Sequence, residues 1–266
     1  MDDDIVLETE AVFRTITFYE YATGPKAVAG GMLDYEKLHV LYEDGARHNR
    51  GKDTPHFNPI KVFVHRHLTY LQHANVLDSM LPPLEIDYGG FWFFAYPAEF
   101  PRQVGLLLPF FLLVDDIEFC LRVKKHFGDC IISLPPVAVW HVPFYTKISD
   151  APRVLWIRNN LAVNMVYELH PWRRVILKLT QEFLMEIFKF RYAGARLVLL
   201  GFEQFMEGPE HLLQTDTVSL FSEVNQITAP LHNNEQYIDT FDSGHGERFY
   251  LPPRQGALRL LLHFLT

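Results

Sequence analysis

The chain has 266 residues, 48% apolar and 21% charged, enough to bury a large core, which excludes a disordered chain or a small disulfide scaffold. Lys and Arg number 24 against 32 Asp and Glu, so the net charge is −8 and a generic nucleic-acid binder is excluded. The two cysteines, Cys120 and Cys130, cannot staple a fold of this size, and they fit a reducing, cytoplasmic setting. The start, MDDDIVLETE, is acidic and unlike a signal peptide. The longest apolar run, Val104 to Val114, is too short to span a bilayer and contains Pro109.

Residues 2–7 read as the end of a strand, and Glu8 to Tyr21 as a helix with Val12, Ile16 and Tyr19 on its apolar face. Ala27 to Leu33 reads as a buried strand whose Gly30-Gly31 pair allows a close backbone approach. Leu38 to Tyr42 is a further strand and residues 44–60 a polar loop. Phe91 to Tyr96 (FWFFAY) is strongly β-prone. Asp115 to Phe127 reads as a helix with Ile117 and Leu121 inward, Lys124 and Lys125 outward, and an acidic first turn that suits a helix N-terminus. Ile131–Leu134 and Val137–Trp140 read as strands around Pro135-Pro136. Beyond residue 150 the Gly and Pro punctuation thins out. Helices are expected over Ala151–Leu169, Pro171–Tyr192, Ala193–Glu207 and Glu210 to about Val224, with a polar loop over 229–257 and a closing apolar run, LRLLLHFLT.

Four groups of residues carry chemistry. On an extended segment Asp2 and Asp4 point to the same side, which suits a hard divalent cation; an acidic tail is the plainer alternative. Asp115, Asp116 and Glu118 open a helix just after an apolar run. One of them could serve as a general base toward a hydroxyl, or all three could simply complement the helix dipole. His141 follows Trp140 at a strand end, as a packed residue or a metal ligand. Phe91-Trp92 is either core or a platform for a sugar ring. His56, His65, His67 and His73 are scattered without a ligand spacing and read as surface residues. No G-x-G-x-x-G, Walker A or G-x-S-x-G motif occurs.

Taken in order, MDDDIVLETEAVFR, GGML, DYGGFWFFAYP, LPFFLLVDDIEFCLR and LPPVAVWHVPFYTK resemble family 2 glycosyltransferases with a GT-A fold, above all the galactofuranosyltransferases of cell-wall galactan synthesis. IRNNL and FMEGPEHLL look like that family's helical region. The resemblance implies an α/β fold: a GT-A-type catalytic portion over residues 1–150, then a mostly helical C-terminal domain over 151–266. MDDD looks like the family's Asp-x-Asp motif, which gives Asp2 and Asp4 to a Mn²⁺ or Mg²⁺ ion and Asp3 to the donor nucleotide. His141 is the implied third metal ligand. VDDIEF resembles the motif that makes Asp116 the catalytic base and sets Asp115 on the acceptor. Phe91, Trp92, His39 and Glu43 fall where acceptor-contacting residues are expected.

The implied reaction is inverting transfer from a UDP-sugar, UDP-galactofuranose first among them, to a glycan or lipid-linked glycan. It would take place in the cytoplasm at the inner face of the membrane, with room for peripheral membrane contact and a homo-oligomer. There are departures: Val114 and Phe91 each stand where the family has Trp, Trp156 where it has His, and the loop from Arg122 to Ile131 is one residue longer. The family's nucleotide-binding half precedes its Asp-x-Asp motif, so the expectation is a fragment cut at both ends, poorly soluble and with little activity alone. The alternatives are another family 2 transferase such as a rhamnosyltransferase, a binding module that keeps only the acceptor side, and a metallohydrolase, against which the lack of a second metal cluster counts.

Overall fold

The computed structural model describes residues 2–47, 63–64, 69–80, 84–142, 151–214 and 216–232. The segment Met1–Ile227 forms one compact unit and Thr228–Thr266 a second, of which only 228–232 are described. His56, His65, His67, most of the expected 229–257 loop and the closing apolar run lie outside the described residues.

The strands are β1 (Ile5–Leu7), β2 (Ala27–Asp34), β3 (Val40–Glu43), β4 (Ala46–Arg47), β5 (Phe63–Val64), β6 (Thr69–Tyr70), β7 (Leu84–Glu85), β8 (Phe94–Ala95) and β9 (Ile131–His141). A mixed sheet runs β1-β9-β2-β3-β6, with β7 paired to β9 and β8 to β2, and β4 pairs with β5 apart from it. Among the described residues only β2 and β9 pair in parallel, and they form the sheet's centre. Every residue of β2 is buried: the apolar run Ala27–Leu33 demands it, and Asp34 at its end is buried too.

The two strands expected around Pro135-Pro136 are one strand, β9. Ala29 pairs with Ser133 and Gly31 with Ala138, so Gly30 alone faces Leu134 to Val137. This bulge holds two residues that lack an N–H without breaking the strand. The freed Gly30 groups are taken by the turn at 91–93. Gly30 N–H donates to the Phe93 carbonyl at 3.0 Å, and the Trp92 indole donates to the Gly30 carbonyl at 2.8 Å. The close approach expected at the glycine pair is present. A Cβ would meet Phe93 at 3.0 Å from Gly30 and Leu41 at 3.0 Å from Gly31. Use of Phe91–Phe93 in this turn shortens the expected 91–96 strand to β8.

Helix α1 (Ala11–Tyr21) turns a different face inward from the one expected. Ala11 and Thr15 are buried with Phe18 and Tyr19 behind them, while Val12 and Ile16 are exposed. Arg14 fits this rotation: it donates to the Pro136 carbonyl and pairs with Glu8 and Glu10, while Ala11, Phe18 and Tyr19 pack into the core. Short helices α2 (Ala74–Met80) and α3 (Glu99–Val104) fall in stretches with no expected element. Helix α4 (Asp115–Phe127) has the expected bounds and ends at Gly128, whose φ of 75° suits a residue without Cβ.

The helical region comprises α5 (Ala151–Tyr167), α6 (Trp172–Phe188), α7 (Tyr192–Met206), α8 (Pro209–Gln214) and α9 (Thr217–His232). The expected fourth helix is thus two. The second is capped by Asp216, which accepts from the Val218 and Ser219 N–H groups. Helix α7 packs on α5 and α6 through Leu197, Val198 and Leu200. Helix α5 also reaches the sheet side, where Val163 joins the core formed by α4, Phe94 and Ile131.

Candidate functional site

Strand pairing builds the first part of the site. β1 runs antiparallel to β9 with Ile5 opposite His141, and β2 ends with Asp34 beside the same His141. The end of β9 therefore meets the start of β1. His141 is buried, Asp4 is half exposed, and their Nε2 and Oδ1 atoms lie 3.1 Å apart. One ligand atom each from Asp2, Asp4 and His141 falls within 4.8 Å of the others. Two carboxylates and an imidazole at that spacing are a donor set fit for Mn²⁺ or Mg²⁺. Asp3 is exposed in the same segment.

The second part is the start of α4. Asp115 and Asp116 are half-buried, and Asp116 Oδ1 accepts from the Ile117 N–H at 2.7 Å. Burial first, then the Asp115 charge, pushes the Asp116 carboxyl up to about 7; Asp2 adds to this, and the Ile117 N–H works against it. Burial also raises Asp115, with Asp2 contributing and the backbone N–H groups of 115 and 116 opposing. Asp2 thus lies close enough to the aspartate pair for its charge to be felt there. Glu118 faces elsewhere. It is buried against Arg122 at 2.8 Å and accepts from the Tyr167 hydroxyl at 2.7 Å.

Glu43, at the end of β3, lies near enough to Asp116 to feel its charge. Burial, then Asp116, then Asp44 raise its carboxyl to about 8. Tyr88, whose hydroxyl is pushed well up by burial and by Glu43 and Asp116, lies against the same group. Of the other expected acceptor residues, Phe91 is half-buried, with ring centroids 5.6 Å from Phe94 and 6.2 Å from Phe119. Trp92 is buried in the core with its indole on Gly30. His39 is exposed, its ring 5.9 Å from that of Tyr70. The structure therefore gathers Asp2, Asp4, His141, Asp115, Asp116 and Glu43, and turns Trp92 inward.

The backbone leading into Asp115 is unusual. Phe111, Leu113 and Val114 have φ of 69°, 65° and 72°. Each such residue costs on the order of 1–3 kcal/mol, and such strain persists only where surrounding contacts fix it. Arg122 holds the start of this loop through the Val104 and Leu106 carbonyls at 2.7 and 2.9 Å. Asn159 of α5 holds its end. Sequence reasoning missed Asp44, Tyr88 and Asn159 as parts of this region; only the LYED pair and the DYGG turn hinted at the first two.

Asp2, Asp4 and His141 could hold a divalent cation, and a carboxyl with raised proton affinity such as Asp116 could accept a proton from a hydroxyl. No protein-family model matches the chain. It is 28% identical over 222 residues to a protein named Galactofuranosyltransferase GlfT2 from Mycobacterium tuberculosis, across 80% of this chain and 34% of that protein. It is 27% identical over 225 residues to the protein of the same name from Mycolicibacterium smegmatis, across 80% and 33%. The chain is similar to these galactofuranosyltransferases and spans about a third of their length. Among the described residues no helix is long and apolar enough to cross a membrane.

Proposed function

We propose that this chain carries the metal and base side of an inverting glycosyltransferase site, one that transfers galactofuranose from UDP-galactofuranose to a hydroxyl of a glycan or lipid-linked glycan. The observation that carries the reading is the convergence of Asp2, Asp4 and His141 with Asp115 and Asp116. The similarity to the two galactofuranosyltransferases supports the choice of sugar. The GT-A fold, family 2 membership, an acceptor held at the inner membrane face and a homo-oligomer belong to the same reading.

In this mechanism Asp2, Asp4 and His141 hold Mn²⁺ or Mg²⁺, and Asp3 faces the donor nucleotide. The ion supplies charge neutralisation for the departing diphosphate. Ionised Asp116 accepts the proton of the acceptor hydroxyl while its oxygen forms the bond to the anomeric carbon. The bond from that carbon to the diphosphate oxygen breaks on the opposite face, and UDP leaves with the electron pair. A carboxyl near 7 suits this role, because it is substantially ionised near neutral pH yet basic enough to hold the proton. Asp115, Glu43, Phe91, His39 and Trp92 make up the acceptor side of the reading, with Trp92 acting from the core through the 91–93 turn.

The test is transfer from UDP-galactofuranose to a galactofuranosyl acceptor with Mn²⁺ present, by the chain joined to the nucleotide-binding half of a similar galactofuranosyltransferase, with Asp116 intact and as Asp116→Asn. Transfer that Asp116→Asn lowers by about 10²–10⁴-fold is the expected result. No transfer from this donor, or an undiminished rate in Asp116→Asn, overturns it. UDP-glucose and dTDP-rhamnose in parallel separate galactofuranose from other donors.

A further inference from the structure

The loop before Asp115 is held by one side chain that no motif of the site includes. Asn159 is fully buried in the middle of α5. The two hydrogens of its amide nitrogen are shared among three loop carbonyls, those of Phe110 at 3.3 Å, Leu112 at 2.9 Å and Leu113 at 2.9 Å. Its amide oxygen accepts from Arg158 Nε at 3.0 Å, which fixes which end of the amide faces the loop. Arg158 is itself buried and reaches the Phe110 carbonyl at 3.4 Å through Nη2. Its Nη1 is buried with no hydrogen-bond partner among the described residues.

Three carbonyls converge on one donor only if the chain between them curls tightly. Phe111 and Leu113, the residues at the curl, are left-handed. Val114 follows, also left-handed, and its carbonyl accepts the Glu118 N–H that opens α4. A β-branched residue in that region is strained and would relax toward negative φ if released. Such a relaxation would swing the first turn of α4, and Asp115 and Asp116 with it. Ordinary capping does not hold this turn, since no side chain caps the helix at Val114. The other tie, Arg122, grips residues 104 and 106, nine or more positions upstream of Asp115.

We propose that Asn159, braced by Arg158, is the positioning residue of the Asp115-Asp116 pair: it clamps the carbonyls of 110, 112 and 113 and so fixes where the two carboxylates stand. The proposal rests on the transferase reading for its catalytic consequence, while the clamp itself can be read without any turnover.

The test compares wild type with Asn159→Asp, which keeps the shape and removes the donor, and with Asn159→Ser, which shortens it. Leu161→Ala, two residues along α5 in the helix core, is the control for simple loss of packing. Two readouts are taken on each. Amide hydrogen exchange in peptides covering 110–118 should quicken about tenfold in the Asn159 variants, with residues 119–127 and the control unchanged there. Transfer should show kcat reduced by about a hundredfold at unaltered donor KM, the signature of misplaced reacting groups. Unchanged exchange over 110–118 overturns the clamp. Faster exchange with undiminished kcat overturns its positioning role. Transfer is read on the chain joined to the nucleotide-binding half; if that joined protein is inactive with Asn159 intact, the transferase reading is overturned instead, and the exchange result still decides the clamp. If Asn159→Asp does not fold, the same outcomes are read on Asn159→Ser.

Discussion

Ile5 and His141 stand opposite one another across the β1–β9 pair, and this single register contact delivers Asp4 Oδ1 to within 3.1 Å of His141 Nε2. The proposed cation site is therefore a product of sheet pairing and not of a flexible acidic tail.

Asp4→Asn tests that site with little risk to the fold, because the Asp4 side chain is half exposed. Mn²⁺ affinity measured by titration calorimetry should fall by about tenfold or more, with Tm of the metal-free protein nearly unchanged. An unaltered affinity would remove Asp4 from the cation.

Glu43 gives a pH dependence of stability with a definite sign. Its carboxyl is raised by burial to about 8 in the folded chain, against about 4.5 when unfolded. The stabilising contribution is fully present below about 4.5 and is lost as pH rises through about 8. Metal-free protein should lose Tm over that window, and Glu43→Gln should lose less. Parallel curves for the two proteins would show that Glu43 is ionised at no cost.

Asp116 governs the rate in the other direction. Transfer by the proposed mechanism should rise with pH through the region near 7, where the carboxyl gives up its proton. Bound cation favours the ionised form and should move that limb to lower pH. A profile flat from pH 5 to 8 would take the base role from Asp116.

Trp92→Phe separates a core role from direct acceptor contact. The indole N–H on the Gly30 carbonyl is lost, and the carbonyl is left buried at a cost of about 1–3 kcal/mol. Denaturant unfolding should show that loss, with acceptor KM unchanged. A higher KM with unchanged stability would put the ring on the acceptor.

Sequence reading and structure agree most where local chemistry decides. Helix α4 begins at its acidic turn and ends at Gly128, and β2 is a buried run. They part where a distant contact decides. The rotation of α1 goes with Arg14 reaching Pro136, 122 residues away, and no periodicity within 8–21 encodes that. Phe91-Trp92 has the composition of a strand, but the Gly30 bulge recruits it as a turn. The proximity of Asp2, Asp4 and His141 was expected from the ordered family resemblance, since each residue taken alone has a plainer reading. Asp44 and Tyr88 were not, since their place beside Glu43 and Asp116 follows from the packing of β3 and the 86–90 segment. Asn159 was invisible for the same reason: an asparagine in a helix gives no sign of which carbonyls it will find.

The four-against-one bulge at Pro135-Pro136 also sets the phase of everything downstream in β9. Side chains alternate sides along a strand, and the length of Leu134–Val137 is what brings Ala138 opposite Gly31 and His141 opposite Asp34. Removing one proline must either be absorbed within the bulge or shift His141 out of register with Ile5 and Asp34, and so away from Asp4. Two residues with no hydrogen to donate thus act as a spacer between the two halves of β9.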